Sequence, residues 1–141
     1  MTVISSNLPL FKELPTIDLY IDQTVGLVNQ YTENLTDQPL TKSMINSYVK
    51  KKIISKPVTK KYDQNQLAMI IIVSLLKPFL SLTAISQFLS TSRIDLFYDK
   101  LVTTINQQIS ESVGFPANEE LPTLLAELVV TRRKVDNFIK E

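Results

Sequence analysis

The segment from Leu67 to Leu89 carries only one charged side chain, Lys77, and its first ten residues are nearly all apolar. Its length would suffice for a membrane-spanning helix, which needs about 20 predominantly apolar residues. A lysine near the centre of such a span costs roughly 3 kcal/mol on insertion, however, and Pro78 breaks a helix at the same place. We therefore expect two buried helices that meet at a turn, and no membrane span.

The composition narrows the fold class and excludes several kinds of chemistry. Only two of the 141 residues are glycine, which is few for a protein built from tight hairpins, so we expect an all-α fold. Cysteine and histidine are both absent from the sequence. Their absence excludes disulfides, thiolate nucleophiles, the usual zinc ligand sets and the commonest general base. We therefore expect no enzymatic activity, no metal site and no cofactor.

Charge is distributed unevenly along the chain, although the formal net charge is only +1. Residues 38–62 contain seven lysines and no acidic residue, whereas the other 8 basic and 14 acidic residues give a net charge of −6. Positive charge concentrated in one short stretch is typical of a surface that binds a polyanion. A solvated lysine-rich loop would have the same composition, so this pattern alone leaves both interpretations open.

Two amphipathic helices are predicted in the first third of the chain. The first is capped by Thr16 and has apolar residues at helical spacing up to Leu35. The second spans residues 41–51, with Thr41 as its N-cap. One of its faces is apolar, and the opposite face carries short polar groups flanked by cations, which suits contacts with base edges and phosphates. The inward face consists of Met44, Ile45, Tyr48 and Val49, and the outward face of Lys42, Ser43, Asn46, Ser47 and Lys50.

The chain after the second helix divides into a loop and further helices. Residues 53–62 combine β-branched residues, a proline and a basic pair, so we expect a short extended loop or reduced wing. Asp63 and Gln66 form a capping box that begins the apolar helix. A long amphipathic helix closed by Gly114 and a last helix beginning near Pro122 give a C-terminal helical hairpin. The predicted divisions are an extended lead-in (1–15), a central helical unit (16–90) and the hairpin (91–141).

The order of these elements resembles the DNA-binding half of MerR-type regulators. In those proteins a recognition helix is followed by a hinge, a basic wing and a short S-L-x-E-I helix, and each part has a counterpart here. The resemblance covers about residues 16–90. The matching motifs are Leu40–Tyr48 (LTKSMINSY) for the recognition helix, Lys52–Ile54 for the hinge, Pro57 for the proline that follows, Lys60–Asp63 (KKYD) for the wing and Ser81–Ile85 (SLTAI) for the short helix.

A closer resemblance, over most of the chain, is to a bacterial family classed only as a domain of unknown function (number 1836). It rests on Leu8–Tyr20 (LPLFKELPTIDLY) and Leu40–Lys50 (LTKSMINSYVK). It implies a MerR-like fold and carries no established activity. Relative to the MerR pattern, Asn46 replaces an arginine, Ser47 replaces a tyrosine, and the shortened wing has lysines in place of arginines. Since lysine lacks arginine's bidentate fork, we expect affinity for the DNA backbone to outweigh base-specific readout.

The resemblance and the charge pattern together predict a cytoplasmic DNA-binding protein that regulates transcription. As a homodimer, which the resemblance implies, it would insert the helix 41–51 into the major groove of double-stranded DNA. The alternative is a degenerate MerR-like module that has lost DNA binding and uses its apolar faces to bind another protein. Tyr48 is equally interpretable as a packing residue, and we interpret Arg132–Lys134 as structural. The predicted DNA contacts are Lys42, Ser43, Asn46, Ser47, Tyr48, Lys50, Lys51, Lys60 and Lys61.

Overall fold

This computed structural model describes residues 8–111 and 120–139 of the chain. Within these ranges it contains six helices and a two-stranded sheet. The structure is mostly helical, as expected, with a small sheet added. The elements in chain order are a 3-10 turn (Phe11–Glu13), β1 (Leu19–Tyr20), α1 (Ile21–Thr32), α2 (Lys42–Lys50), β2 (Lys61–Tyr62), α3 (Gln64–Leu76), α4 (Leu82–Leu89), α5 (Ile94–Glu111) and α6 (Leu121–Ile139).

Helix α3 is the centre of the core because it is apolar on nearly every side. Nine of its 13 residues are buried, and α1, α4 and α5 pack around it. The predicted capping box begins the helix: the amide of Gln66 donates to Oδ1 of Asp63 at 2.8 Å, and the amide of Asp63 donates to Oε1 of Gln66 at 2.7 Å. The charge-poor segment forms two helices, α3 and α4, as predicted. Within the described ranges, none of the helices has both the length and the hydrophobicity needed to cross a membrane.

The first helix begins later than predicted. We expected it to start after Thr16, whereas the chain there is not helical and α1 begins one residue after Tyr20. The reason is that β1 pairs with β2 in antiparallel register, and this long-range pairing overrides the local helical spacing. The amide of Tyr20 donates to Oε1 of Gln23 at 3.0 Å and caps the helix. Helix α1 ends at Thr32, about one turn before the predicted Leu35.

The N-terminal segment is held against α5 by side-chain hydrogen bonds. Asn106 binds the backbone of Leu8 twice, accepting from its amide and donating to its carbonyl, each at 2.9 Å. The hydroxyl of Tyr98 donates to the carbonyl of Pro9 at 2.8 Å. The expected extended lead-in is therefore anchored from residue 8 onward and contains a 3-10 turn, whereas residues 1–7 of that prediction lie outside the described residues.

The two C-terminal helices contact earlier parts of the chain. Helix α5 packs against α3 and buries Tyr98 and Val102, so it shares the core of the preceding helices. Helix α6 contacts α4, and Nη1 of Arg132 donates to the carbonyl of Phe79 at 2.9 Å. The sequence spacing groups both helices in one C-terminal unit (91–141), and this division stays a prediction. The predicted end of α5, Gly114, lies outside the described residues.

Candidate nucleic-acid interface

Helix α2 presents a polar face to solvent, as its residue spacing predicts. The hydroxyl of Thr41 accepts from the amide of Met44 at 3.2 Å, so the predicted N-cap is confirmed. The helix ends at Lys50, with Lys51 as its C-cap, and Ile45 is buried on its inner side. The exposed outer residues are Lys42, Ser43, Asn46 and Lys50, with Ser47 half-buried beside them.

Tyr48 does not belong to this exposed face, which corrects its place among the predicted DNA contacts. Only 1% of its surface is exposed, and its hydroxyl has no hydrogen-bond partner within the described part of the chain. Burial raises the pKa of this phenol above its ordinary value, and Nζ of Lys77 lies 5.9 Å from the ring centroid. The residue follows Ile45 at helical spacing and shares its buried stripe. In this conformation Tyr48 is a packing residue, and its hydroxyl cannot reach a phosphate.

The connection between α1 and α2 is fixed by the side chain of Asn29. Its Nδ2 donates to the carbonyl of Leu40 at 3.0 Å, and its Oδ1 accepts from the amide of Leu40 at 2.8 Å. Leu40 directly precedes the N-cap of α2 and is itself buried. One amide side chain on α1 therefore anchors the backbone of the residue that directly precedes the N-cap of α2.

A Schellman motif ends α2. The amide of Ile53 donates to the carbonyl of Tyr48 at 2.9 Å, and the amide of Lys52 donates to that of Val49 at 3.0 Å. Lys52 has a φ of 62°, in the left-handed region that glycine usually occupies at this position. A lysine there costs roughly 1 kcal/mol relative to an unstrained residue. The turn leaves the last lysines of α2 exposed at the helix end.

The predicted extended loop or reduced wing contains a tight turn, residues 58–61, which we call the 58–61 hairpin. Val58 and Lys61 exchange two backbone hydrogen bonds of 3.0 Å each. Thr59 and Lys60 between them have φ values of 49° and 65°, as in a type I′ turn, where Asn-Gly is the usual pair. Because the sequence has neither residue here, turn chemistry gave no signal for a hairpin. Lys60 is exposed at its tip, and Lys61 is half-buried.

Two contacts bring the start of α2 and the 58–61 hairpin to the same end of α1. Nζ of Lys42 lies 3.0 Å from Oδ1 of Asp22, and Nζ of Lys61 lies 5.0 Å from the ring centroid of Tyr20. Tyr20 is the N-cap of α1, and Asp22 is in its first turn. Two predicted contacts from separate parts of the sequence are therefore neighbours of one helix end. The roles of Tyr20 and Asp22 were not foreseen, because they depend on the sheet pairing.

The other lysines of the predicted basic stretch are also at the surface. Lys50, Lys51 and Lys60 are exposed, as are Lys52 and Lys56, which the prediction did not select. The absence of acidic residues from 38–62 was the signal that would have included them. Arg132, interpreted from sequence as structural, does make structural contacts, since its Nε lies 3.1 Å from Oδ1 of Asp136 and its Nη1 binds Phe79.

Comparison with known proteins gives one family match. The family model described as Domain of unknown function (DUF1836) matches residues 9–94, more than half of the chain. This range contains α2 and the 58–61 hairpin, and it ends where α5 begins, so α6 lies outside it. No curated protein and no solved structure shows a significant match to the chain. Among the described residues, no group of three or more acidic side chains is arranged to hold a metal ion.

Proposed function

The chain belongs to the family described as Domain of unknown function (DUF1836), and that description assigns no activity. We propose that the protein binds DNA through a MerR-like helix-turn-helix. In this proposal α2 enters the major groove of double-stranded DNA, and the 58–61 hairpin acts as a wing on the neighbouring backbone. The role is non-catalytic regulation of transcription in the cytoplasm.

The observation that carries the proposal is the convergence of Lys42 and Lys61 on the N-terminal end of α1. Their contacts with Asp22 and Tyr20 show that the start of α2 and the hairpin lie at the same end of α1. The side chains of Lys42 and Asp22 are 59% and 76% exposed, and exposed ion pairs contribute only about 0–1 kcal/mol. A phosphate can therefore replace Asp22 as the partner of Lys42 at little cost.

The exposed side chains divide into two groups by what they can recognise. The lysines on α2 and the hairpin neutralise phosphates, which gives affinity and register without sequence information. Asn46 can pair with an adenine edge through its amide, and the hydroxyls of Ser43 and Ser47 can bind several bases. We expect Asn46 to be the main source of base preference, because it is the only exposed amide on the face of α2.

A second copy of the chain, paired through α6, supplies a matching half-site in this proposal. Every residue of α6 from Leu121 to Lys134 is exposed. Glu127 lies in its first half, and its second half carries three cations, of which Arg132 already pairs with Asp136, so an antiparallel pair of α6 helices would bring Glu127 near Arg133 or Lys134. A two-fold pair would present two α2 helices to successive major grooves. The exposed leucines are Leu121, Leu124, Leu125 and Leu128.

The proposal is tested by fluorescence anisotropy on labelled duplexes across a salt series. One duplex comes from the region upstream of the protein's own gene, and the other is a scrambled version. We expect tighter binding to the upstream duplex and a steep loss of affinity with salt, because bound lysines release counterions. Lys50→Gln and Lys60→Gln should weaken binding to both duplexes and reduce the salt slope by about one unit each.

Two control variants separate these effects from general changes in charge or fold. Lys100→Gln removes an exposed lysine on α5 and should leave the salt slope unchanged. Asn46→Ala should keep affinity for scrambled DNA but lose the preference for the upstream duplex. If the wild-type protein binds neither duplex at low salt, the DNA-binding proposal is wrong. A protein partner captured on α6 would then favour the alternative, an interaction module.

A further inference from the structure

A groove of about 700 Å³ lies behind the exposed face of α2, between the end of that helix, the loop that follows it, α3 and α4. Its loop wall is fixed by one buried side chain. Nε2 of Gln66 donates to the carbonyls of Ser55 and Lys56 at 3.1 and 2.9 Å, and to the hydroxyl of Ser55 at 3.2 Å. Together with the Schellman motif at Lys52, these bonds hold the backbone of the wall in place before any ligand arrives.

The floor of the groove is apolar, and its rim is cationic. Ile53, Ile54 and Leu89 close the floor and are buried, whereas Val49 and Met69 are half-buried and offer apolar surface. The rim carries three lysines and no acidic side chain among the lining residues, all of which belong to the described part of the chain. These rim lysines are Lys50, Lys52 and Lys56.

We propose that this groove binds a small amphipathic anion, such as a carboxylate on an aliphatic chain or an aromatic ring. Its volume lies within the range of roughly 300–1,000 Å³ found for small-molecule sites, which are mostly apolar with a few polar groups. The apolar body of the ligand covers Val49 and Met69, while the anionic head binds Lys52 and Lys56. A DNA phosphate would use the lysines but leave the apolar floor uncovered. This site does not depend on the proposed DNA binding.

Isothermal titration calorimetry of the full chain with octanoate, in the absence of DNA, tests the proposal. We expect one octanoate to bind per chain. The neutral analogue 1-octanol should bind at least about tenfold more weakly, because two exposed charge contacts together contribute a free energy of that size. The double variant Lys52→Gln, Lys56→Gln should weaken octanoate about tenfold. A matched double variant outside the groove, Lys12→Gln with Lys100→Gln, should change the dissociation constant less than twofold.

A blocking variant separates the groove from other apolar surfaces. Ser86 lines the groove and is half-buried, so Ser86→Trp should occupy the groove and abolish octanoate binding, while a thermal melt checks that the variant is folded. No binding of octanoate at millimolar concentration would overturn the proposal. Equal binding of 1-octanol would overturn its anionic part. Binding that survives Ser86→Trp in the folded variant would also overturn it, because octanoate would then bind outside the groove.

Discussion

Helices α3 and α6 are both rich in large apolar side chains, yet one is enclosed and the other is open to solvent. Nine of the 13 residues of α3 are buried, whereas none of the 19 residues of α6 is. The residues of α6 that are even half-buried, Val135, Asp136 and Ile139, all lie near its C-terminal end. Burial makes the apolar residues of α3 a source of stability, whereas those of α6 gain little such burial within the described structure and are accessible to the pairing that we propose. The same residue type therefore contributes differently to stability in each helix.

The largest expected effect compares one truncation in each helix. Ile71 in α3 is completely buried, so Ile71→Ala should lower the free energy of unfolding by about 3 kcal/mol through lost burial and a new cavity. Leu125→Ala in α6 should change it by less than about 0.5 kcal/mol, as for other exposed positions. Urea denaturation at submicromolar protein measures both values. Equal losses of unfolding free energy would show that α6 is part of the folded core, in which case α3 and α6 would not differ in burial.

A second prediction concerns the proposed pairing through α6. If two copies pair through this helix, Leu125→Glu places an uncompensated charge in the interface and should raise the dimer dissociation constant by at least about 100-fold. Leu96→Glu is the matched control, because Leu96 is 58% exposed on α5 and should leave the constant unchanged. Sedimentation equilibrium measures both. A wild-type protein that stays monomeric at 100-fold the concentration used for DNA binding would contradict pairing through α6.

Replacing lysine by glycine should have opposite effects on stability at the end of α2 and inside α6. Lys52→Gly relieves a left-handed residue at the end of α2 and should stabilise the protein by about 1 kcal/mol. Lys134→Gly lies inside α6, where glycine costs about 1 kcal/mol relative to a good helix former. Thermal melts monitored by circular dichroism should show the effect of Lys52→Gly as a higher midpoint of the cooperative unfolding transition. The effect of Lys134→Gly should appear chiefly as a loss of helical signal, and a stabilising effect of this variant would argue against the helix.

The smallest expected effect concerns DNA affinity. Asp22→Asn removes the carboxylate that pairs with Lys42, so the lysine becomes available to phosphate and repulsion of DNA decreases. Affinity for any duplex should rise about two- to threefold, which is the size of an exposed ion pair. Asp136→Asn removes a carboxylate that pairs with Arg132 on α6, although Asp136 is less exposed than Asp22 (31% against 76%), and it should leave DNA affinity unchanged. An increase of the same size in both variants would reflect net charge alone, without a specific role for Asp22.

Several local features could be predicted because their causes are a few residues apart. The N-cap at Thr41, the capping box at Asp63 and the break between α3 and α4 are all observed. Most of the candidate site followed from the same local spacing, which correctly gave an exposed Asn46. The same spacing put Tyr48 on the inward stripe, but how completely it is buried, which removes it from the DNA contacts, depends on the helices that cover it.

By itself, the sequence determined a helical chain with an apolar centre and a lysine-rich stretch, since helical spacing, caps and charge are written in neighbouring residues. Only the tertiary structure decided that β1 replaces the first turn of the predicted helix, that residues 58–61 form a hairpin without Asn or Gly, and that α6 remains exposed while α3 is covered. These outcomes depend on partners far apart in the chain. Pairing and burial among such partners outweigh local propensities, which are worth less than about 1 kcal/mol per residue for most residue types.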